Sequence, residues 1–502
     1  MPRPNKVVLF YPPYDGPPLG APLSLLCLAS PLIEAGFDVR LVDNLICPDY
    51  EKTILREIMG EDALCLGISI LTGPHIGAAV RVSRAVKKLR PNLPIIFGGW
   101  HASLATQQTL TEPFVDAVVR GQGELTLLEL VQRIADGKGW HGVRGLSFKD
   151  AGKIVHEPER PVADINTLPL PAYHLADPGI YAAVSGVRQL AYTSSVGCPY
   201  QCNYCTDMVF YKRRFNAYQV TRVVNELAEL VPRYHIQHVP LFDSNFLVDR
   251  KRAVEIAKGI IASGIKFKWD FQTSTDFLSL MSEEDVRALA ESGVCHIGFG
   301  TESASQEVLH MMNKRFQHVD QMVETARKTF VAGITVVFNI ILGYPGETDT
   351  HRQKTFRIMS DIAREYPNVS FSPNIFTPYP GIPIWPQLKE MGVREPQSLE
   401  EWETLALGTN VLPWLRGEEL RRLQRSLDYF LLNNQIRKVT NKIPWARRGV
   451  RRLLGAPVRW RIGKSRYSFP WELWVSRTVE KVVTKRSLLT GQALAERTQQ
   501  VC

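Results

Sequence analysis

Short apolar runs alternate with helical stretches through the first 140 residues of the chain. Val7–Tyr11 reads as a strand, Leu23–Ala35 as an apolar helix ended by Gly36, and Phe37–Val42 as the next strand. Leu64–Ile70, Pro94–Phe97 and Ala117–Val119 are further short, continuous apolar runs. Runs of strand length separated by helices imply a parallel sheet buried on both faces. Residues 1–140 are therefore expected to form a doubly wound, Rossmann-like α/β domain. Residues 141–188, proline-rich around Leu168–Ala172, read as a linker or strap. The alternation then resumes over residues 189–385, with strands predicted at Gln189–Val196, Val239–Phe242, Phe267–Thr273, His296–Phe299, Thr335–Leu342 and Val369–Phe376, and a helix at Gln219–Arg233. Residues 386–502 read as a mainly helical extension, and no internal repeat is present.

At 502 residues the chain is too long for one hydrophobic core. No run of 18 or more apolar residues exists, so no membrane-spanning helix is predicted. Met1–Lys6 leads straight into the first strand without a signal peptide, and a cytoplasmic location is expected. Five of the eight cysteines (Cys27, Cys47, Cys65, Cys295, Cys502) are scattered, which argues against a disulfide framework and for a reducing compartment. The net charge of +10 is local: Arg437–Arg486 holds 15 Lys or Arg against Glu472 and Glu480, so the rest of the chain sums to −3. That segment also contains Trp445, Trp460, Trp471 and Trp474. Cations mixed with aromatics suit the headgroup region of an anionic membrane, here a peripheral contact at its inner face. RNA phosphates and a plain solvated helical extension are the other readings, nucleic acid being the weakest.

The remaining cysteines, Cys198, Cys202 and Cys205, follow the spacing C-x3-C-x2-C. Three thiolates on one short loop are one fewer than a [4Fe–4S] cube needs, which leaves one iron open. A zinc site would want a fourth ligand at suitable spacing, but the nearest histidines downstream, His235 and His238, follow a predicted helix. Buried structural cysteines are the other alternative.

The run Gly197–Cys205 resembles the cluster loop of the radical S-adenosylmethionine (SAM) superfamily, including the aromatic Tyr204 before the third cysteine. The resemblance implies a partial (β/α)6 barrel, with the amino and carboxylate groups of SAM on the open iron. It implies that Phe242–Phe246, at the end of the second barrel strand, holds the amino group through backbone carbonyls and polar side chains, Asp243 and Ser244 among them. Gly298–Ser305 is similar to the family's G-x-E-S-x-S, which assigns Glu302 to the ribose hydroxyls, and Asn339 and Gly343 fall on the adenine side. No second cysteine cluster follows.

In the first domain, ligands are expected beyond the strand carboxyl ends. There the chain places Ser69, Thr72 and His75, then Gly98, Gly99 and His101, then Gly121, Gly123 and Glu124. Glycine permits close approach of a bulky planar ligand, and a G-x-G-x-x-G fingerprint is absent. The set resembles the cobalamin-binding domain that precedes many radical SAM domains, and implies that these nine residues contact cobalamin. The D-x-H-x-x-G motif that supplies a histidine to cobalt is missing, so the lower ligand is unassigned.

Together the resemblances imply three cofactors: a [4Fe–4S] cluster, SAM and cobalamin. They imply a cobalamin-dependent radical SAM (class B) methyltransferase, methylating an unactivated carbon of a hydrophobic, lipid-like small molecule through a 5′-deoxyadenosyl radical and methylcobalamin. A flavodoxin or ferredoxin would supply electrons. An oxidative cyclase resembling the magnesium-protoporphyrin monomethyl ester enzyme, or a ring-rearranging enzyme, is the enzymatic alternative. A non-catalytic cobalamin sensor is the alternative of another class. Thr377–Trp385 is a candidate wall of the substrate cavity, or simply a proline-stiffened loop.

Overall fold

The computed structural model describes residues 5–14, 20–405, 412–442, 453 and 455–474. The first sheet contains β1 (Lys6–Tyr11), β2 (Asp38–Asp43), β3 (Ala63–Ser69), β4 (Ile95–Gly98), β5 (Ala117–Val119), β6 (Leu146–Asp150) and β7 (Lys153–His156), in the order β2-β1-β3-β4-β5-β6-β7. β1 to β5 are parallel, with Val7 opposite both Val39 and Cys65. Val7, Leu9, Val8 and Phe10 are all buried, as a strand covered on both faces requires. One feature was hidden in the predicted linker: β6 and β7 form a hairpin that extends this sheet antiparallel to β5. Their alternation is short and charged (Lys149, Asp150, Lys153), so the apolar-run criterion passed over them.

The second sheet, β10 (His238–Pro240), β11 (Lys268–Thr273), β12 (Val294–Glu302), β13 (Thr335–Leu342) and β14 (Val369–Ile375), is parallel throughout and in sequence order. Trp269, Phe271, Ile297, Phe299, Phe338 and Phe371 are buried on its outer, helix-covered face. The alternate positions, including Asp270, Gln272, His296, Gly298 and Asn339, take the inner, concave face. The strand predicted at Gln189–Val196 is reduced to two parallel bridges, Gln189 to His238 and Tyr192 to Leu241. Beyond Tyr192 the chain turns away from the ladder because the backbone N–H of Ser194 donates to the Asp243 carboxylate instead of a strand carbonyl. Ser195–Val196 (β8) then pairs antiparallel with Asn216–Ala217 (β9).

After β14 the chain crosses back over the first domain. Trp402 is buried there, its indole N–H donates to Gln108 Oε1 at 2.6 Å, and its ring meets His101 edge-on at 5.5 Å. Gln108 Nε2 donates to Pro396 O at 2.7 Å, and Arg84 grips Glu400 with two bonds of 2.8 and 3.1 Å. The chain then returns to the barrel, where Trp414 Nε1 donates to Gly343 O at 2.9 Å.

Helix Gly417–Lys442 and helix Ala456–Lys464 follow, the latter packed on helix Asp349–Glu365. Arg461 Nε lies 2.6 Å from Glu472 Oε1, Tyr429 OH donates to Glu472 Oε2 at 3.0 Å, and Tyr429 stacks on Tyr467 at 5.2 Å. The side chains of residues 437–452 and 475–486, Trp445 among them, lie outside the described residues, as does Cys502. Among the described residues no helix is long and apolar enough to cross a membrane.

Candidate active site

Gly197 opens the cysteine loop with φ +77°, and a Cβ there would stand 1.9 Å from Arg214 O, so only glycine fits. The loop is clamped by distant backbone. Asn203 N and Nδ2 donate to Met312 O (3.2 Å) and Met311 O (2.9 Å), and Ile384 N donates to Asn203 O (3.2 Å). Tyr344 OH donates to Asn203 Oδ1 (2.6 Å), and Tyr200 stacks on Phe316 at 3.7 Å. Asn203 and Tyr200 escaped the sequence reading because their partners lie more than a hundred residues away. In the candidate cavity segment Thr377–Trp385, Ile382, Ile384 and Trp385 are buried, and Ile384 backs the cysteine loop.

Cys198, Cys202 and Cys205 all carry free thiols. Burial pushes Cys202 up to about 11 and Cys205 up to about 12, and raises Cys198 too, while Lys314 pulls Cys202 and Cys198 the other way. Such thiols stay protonated until a metal displaces the proton, and three on one clamped loop fit a cluster with one open iron.

Around the loop, the strand ends supply polar groups. Asp243 is buried and engaged at both oxygens: Oδ1 accepts from Ser194 N (2.7 Å), Oδ2 from Ser194 Oγ (2.6 Å) and Ser195 Oγ (2.5 Å), while Thr193 Oγ1, 3.4 Å from Oδ1, donates to Ser195 O at 3.1 Å. These bonds tie the side chain to the approach to the cysteine loop. Ser244 Oγ donates to Asp207 Oδ1 at 2.6 Å. Burial pushes Asp207 up to about 6, and its Oδ2 has no partner.

Glu302 ends β12 in the left-handed region, φ +64°, just past a register shift after Gly300. Tyr204 OH (2.9 Å) and Lys314 Nζ (3.1 Å) both donate to its Oε1, which leaves Oε2 to accept from a ligand's hydroxyls. The pair is buried, with Lys314 3% and Glu302 7% exposed. Burial works against the Lys314 charge, but Glu302 and Cys202 outweigh it and hold the ammonium above the ordinary lysine range. Gly300 makes room for this pair, since its Cβ would stand 2.8 Å from Glu302 Oε1. Lys314 was missed by sequence, although the short helix Gln306–Met311 returning the chain toward Glu302 was the available signal. Asn339 lies on the inner face of β13. Gly343, φ +76°, is buried beneath Leu412 and Leu415 of the returning chain.

On the first domain, the residues after β3, β4 and β5 share one edge of the sheet. Thr72 Oγ1 and His101 Nδ1 are 2.9 Å apart, and burial pushes His101 down to about 3 and His75 down to about 4, so both rings are neutral. Gly99, φ +84°, passes so close to Ser69 and Ile70 that a Cβ would stand 2.8 Å from Ser69 Oγ. Gly98 is extended, Gly121 N donates to Ser103 Oγ at 3.0 Å, and Gly123 precedes helix Glu124–Ala135. Burial raises the Glu124 carboxyl. His101 Nε2 and Glu124 Oε2 are buried without partners. Two orphaned polar atoms on one sheet edge fit a large ligand carrying hydrogen-bonding groups at its rim. Trp100, between Gly99 and His101, stacks at 4.2 Å on Phe210, five residues beyond Cys205.

Residues 5–131 match the B12 binding domain, and residues 192–359 match the radical SAM superfamily. An uncharacterized methyltransferase of Pyrococcus horikoshii is 31% identical over 391 residues, covering 76% of this chain and 82% of that protein. The anaerobic magnesium-protoporphyrin IX monomethyl ester cyclase of Cereibacter sphaeroides is 28% identical (85% of this chain, 69% of that one). The hopanoid C-3 methylase of Methylococcus capsulatus is 25% identical (72% and 68%). In fold the chain is similar to the cobalamin-dependent SAM radical enzyme OxsB with aqua-cobalamin and SAM bound (TM-score 0.74, 17% identity, 91% and 72% covered). It is also similar to the radical SAM methyltransferase TsrM of Kitasatospora setae with cobalamin and [4Fe-4S] cluster bound (TM-score 0.68, 20% identity, 78% and 79% covered).

Proposed function

The chain belongs to the cobalamin-dependent radical SAM methyltransferase family, and we propose that its own reaction transfers a methyl group to an unactivated carbon of a small molecule. The observation that carries this reading is the Trp100–Phe210 stack, which joins the glycine-rich edge of the first domain to the helix that follows the cysteine loop. Groups held on the two sides would face each other across this junction.

Cys198, Cys202 and Cys205 would hold the cluster, Glu302 and Tyr204 the SAM ribose side with Asn339 and Gly343 toward adenine, and the edge formed by residues 69–75, 98–101 and 121–124 the cobalamin. When bound, these groups supply an electron to cleave SAM and a transferable methyl. The protein positions them, and the returning segment that buries Trp402 and Trp385 helps to keep water from the junction. Phe242, 44% exposed at the end of β10, offers an apolar contact to substrate. Together with the hopanoid methylase relative, it supports a hydrophobic substrate.

The test is anaerobic turnover of the reconstituted protein with methyl-deuterated SAM and cobalamin. 5′-Deoxyadenosine together with S-adenosylhomocysteine supports methyl transfer, whereas 5′-deoxyadenosine alone favours the cyclase branch.

A second reading concerns location. Trp460, Phe469, Trp471 and Trp474 are exposed beside exposed Lys464 and Arg466, which supports contact with an anionic membrane surface. Helix Ala456–Lys464 packs on helix Asp349–Glu365, with Ser360 Oγ donating to Arg459 O at 3.1 Å, so a truncation would disturb the barrel's packing and point substitutions are the better probe. Trp471→Ser with Phe469→Ser should reduce sedimentation with anionic liposomes, and unchanged sedimentation would refute the contact.

A further inference from the structure

The geometry points to Asp276, and not Asp243, as the carboxylate that receives the methionyl amino group of SAM. This rests on the SAM site proposed above. The resemblance assigns that part to the end of the second barrel strand, but both oxygens of Asp243 are already engaged by its own chain. Three donors from Ser194 and Ser195 engage both its oxygens, and it is 2% exposed. Its work is to fix the approach to the cysteine loop. Arg252 reinforces the same turn by donating to Ser194 O at 2.8 Å.

Asp276 follows β11, the next strand along, at the same carboxyl edge of the barrel. It is 6% exposed, and its Oδ1 has no hydrogen-bond partner. Burial pushes its carboxyl up to about 6, opposed by the charges of Lys314 and Arg250 and by its own N–H and that of Phe277. Lys314 makes no ion pair with it, being engaged by Gly300 O and Glu302 Oε1. Asp276 lies next to the cysteine loop: the rings of Tyr200, two residues past Cys198, and of Phe277 are 5.8 Å apart, and the Asp276 charge acts on Tyr200.

A buried acceptor left without a donor is unfavourable and calls for an explanation. An amino group arriving between the open iron and the Glu302 side supplies the missing N–H. Asp207 also has an orphan oxygen, but it lies two residues past Cys205, already accepts from Ser244 Oγ, and its charge acts on Cys198, Cys205 and Tyr211, the last of which also feels Glu124 and Cys27 of the first domain. The charges of Asp276 and Glu302 both act on Lys314, and in this assignment Glu302 takes the ribose end of the ligand and Asp276 the amino end.

The test is calorimetric binding to the cluster-loaded protein, with SAM, S-adenosylhomocysteine and methylthioadenosine as probes. The last keeps the nucleoside but lacks the amino acid. Asp276→Asn is isosteric and should weaken SAM and S-adenosylhomocysteine by about 10- to 100-fold, the range of a hydrogen bond to a charged group. Methylthioadenosine affinity and cluster iron content should not change, and Asp276→Glu should restore part of the loss. Asp243→Asn should lower cluster content instead. Three results would overturn the assignment: wild-type SAM affinity in Asp276→Asn, equal loss for all three probes, or failure of that variant to assemble the cluster, which would make Asp276 structural. A wild-type holoenzyme that binds methylthioadenosine but neither amino-acid probe would also overturn it, while one that binds none of the three would overturn the SAM site itself.

Discussion

Replacing Gly197 by alanine tests whether the cysteine loop tolerates any change in path. Two costs arise. The first is conformational, since φ +77° is a region that an L-residue enters at a cost of roughly 1–2 kcal/mol. The second is steric. The new Cβ would lie 1.9 Å from Arg214 O, and real contacts do not fall below 3.0 Å, so one of the two backbones must move by about 1 Å. Neither is a flexible side chain. Gly197 adjoins Cys198 directly, so the displacement reaches the first cluster ligand.

Gly264→Ala supplies the control. Its φ of +73° carries the same conformational cost, but nothing lies within 4 Å of its Cβ, and it caps helix Arg250–Ser263 away from the loop. Iron and sulfide content after anaerobic reconstitution, the visible absorption of the cluster and the unfolding midpoint would be measured for both. Gly264→Ala should lose about 1–2 kcal/mol of stability and keep a full cluster. Gly197→Ala should lose more stability and most of its cluster. A Gly197→Ala protein with a full cluster and a loss matching the control would refute the steric argument.

Trp402→Ala should remove about 3–5 kcal/mol from the packing of the returning segment, leave Gln108 Oε1 without its 2.6 Å donor and speed proteolysis between residues 393 and 405, which limited digestion would detect. Cys202→Ala should lose cluster iron while retaining cobalamin, read from the visible spectrum, because the first-domain edge contains none of the three loop cysteines. His238 pairs with Asp270 at 2.7 Å, and that bond, with Cys295 adding to it, pushes the imidazole up to about 9 from 6.5. A raised folded-state value gives stability that is fully present below pH 6.5 and is lost as pH rises through about 9. Asp270→Asn should flatten the fall of the unfolding midpoint over that window, and an unchanged slope would remove the pair from the explanation.

The two parallel α/β units were legible because apolar runs and helical periodicity are local properties of the chain. The hairpin β6–β7 was not, since a charged two-strand edge has no apolar run to betray it. The first barrel strand was read over eight residues where only two bridges form, because one carboxylate, Asp243, captured the backbone N–H of Ser194.

By itself the sequence determined the thiol spacing, the glycine-rich strand ends and the order of the two units, and with these the family and its three cofactors. Each depends on neighbours within a few residues, where spacing dictates geometry. Only the tertiary structure decided that Asp243 is engaged at both oxygens while Asp276 keeps an orphan oxygen, that Lys314 donates to Glu302, and that Pro396 returns to Gln108, 288 residues earlier. Whether a buried carboxylate is satisfied depends on every donor the fold brings to it, and those donors come from segments whose separation along the chain has no fixed relation to their distance in space.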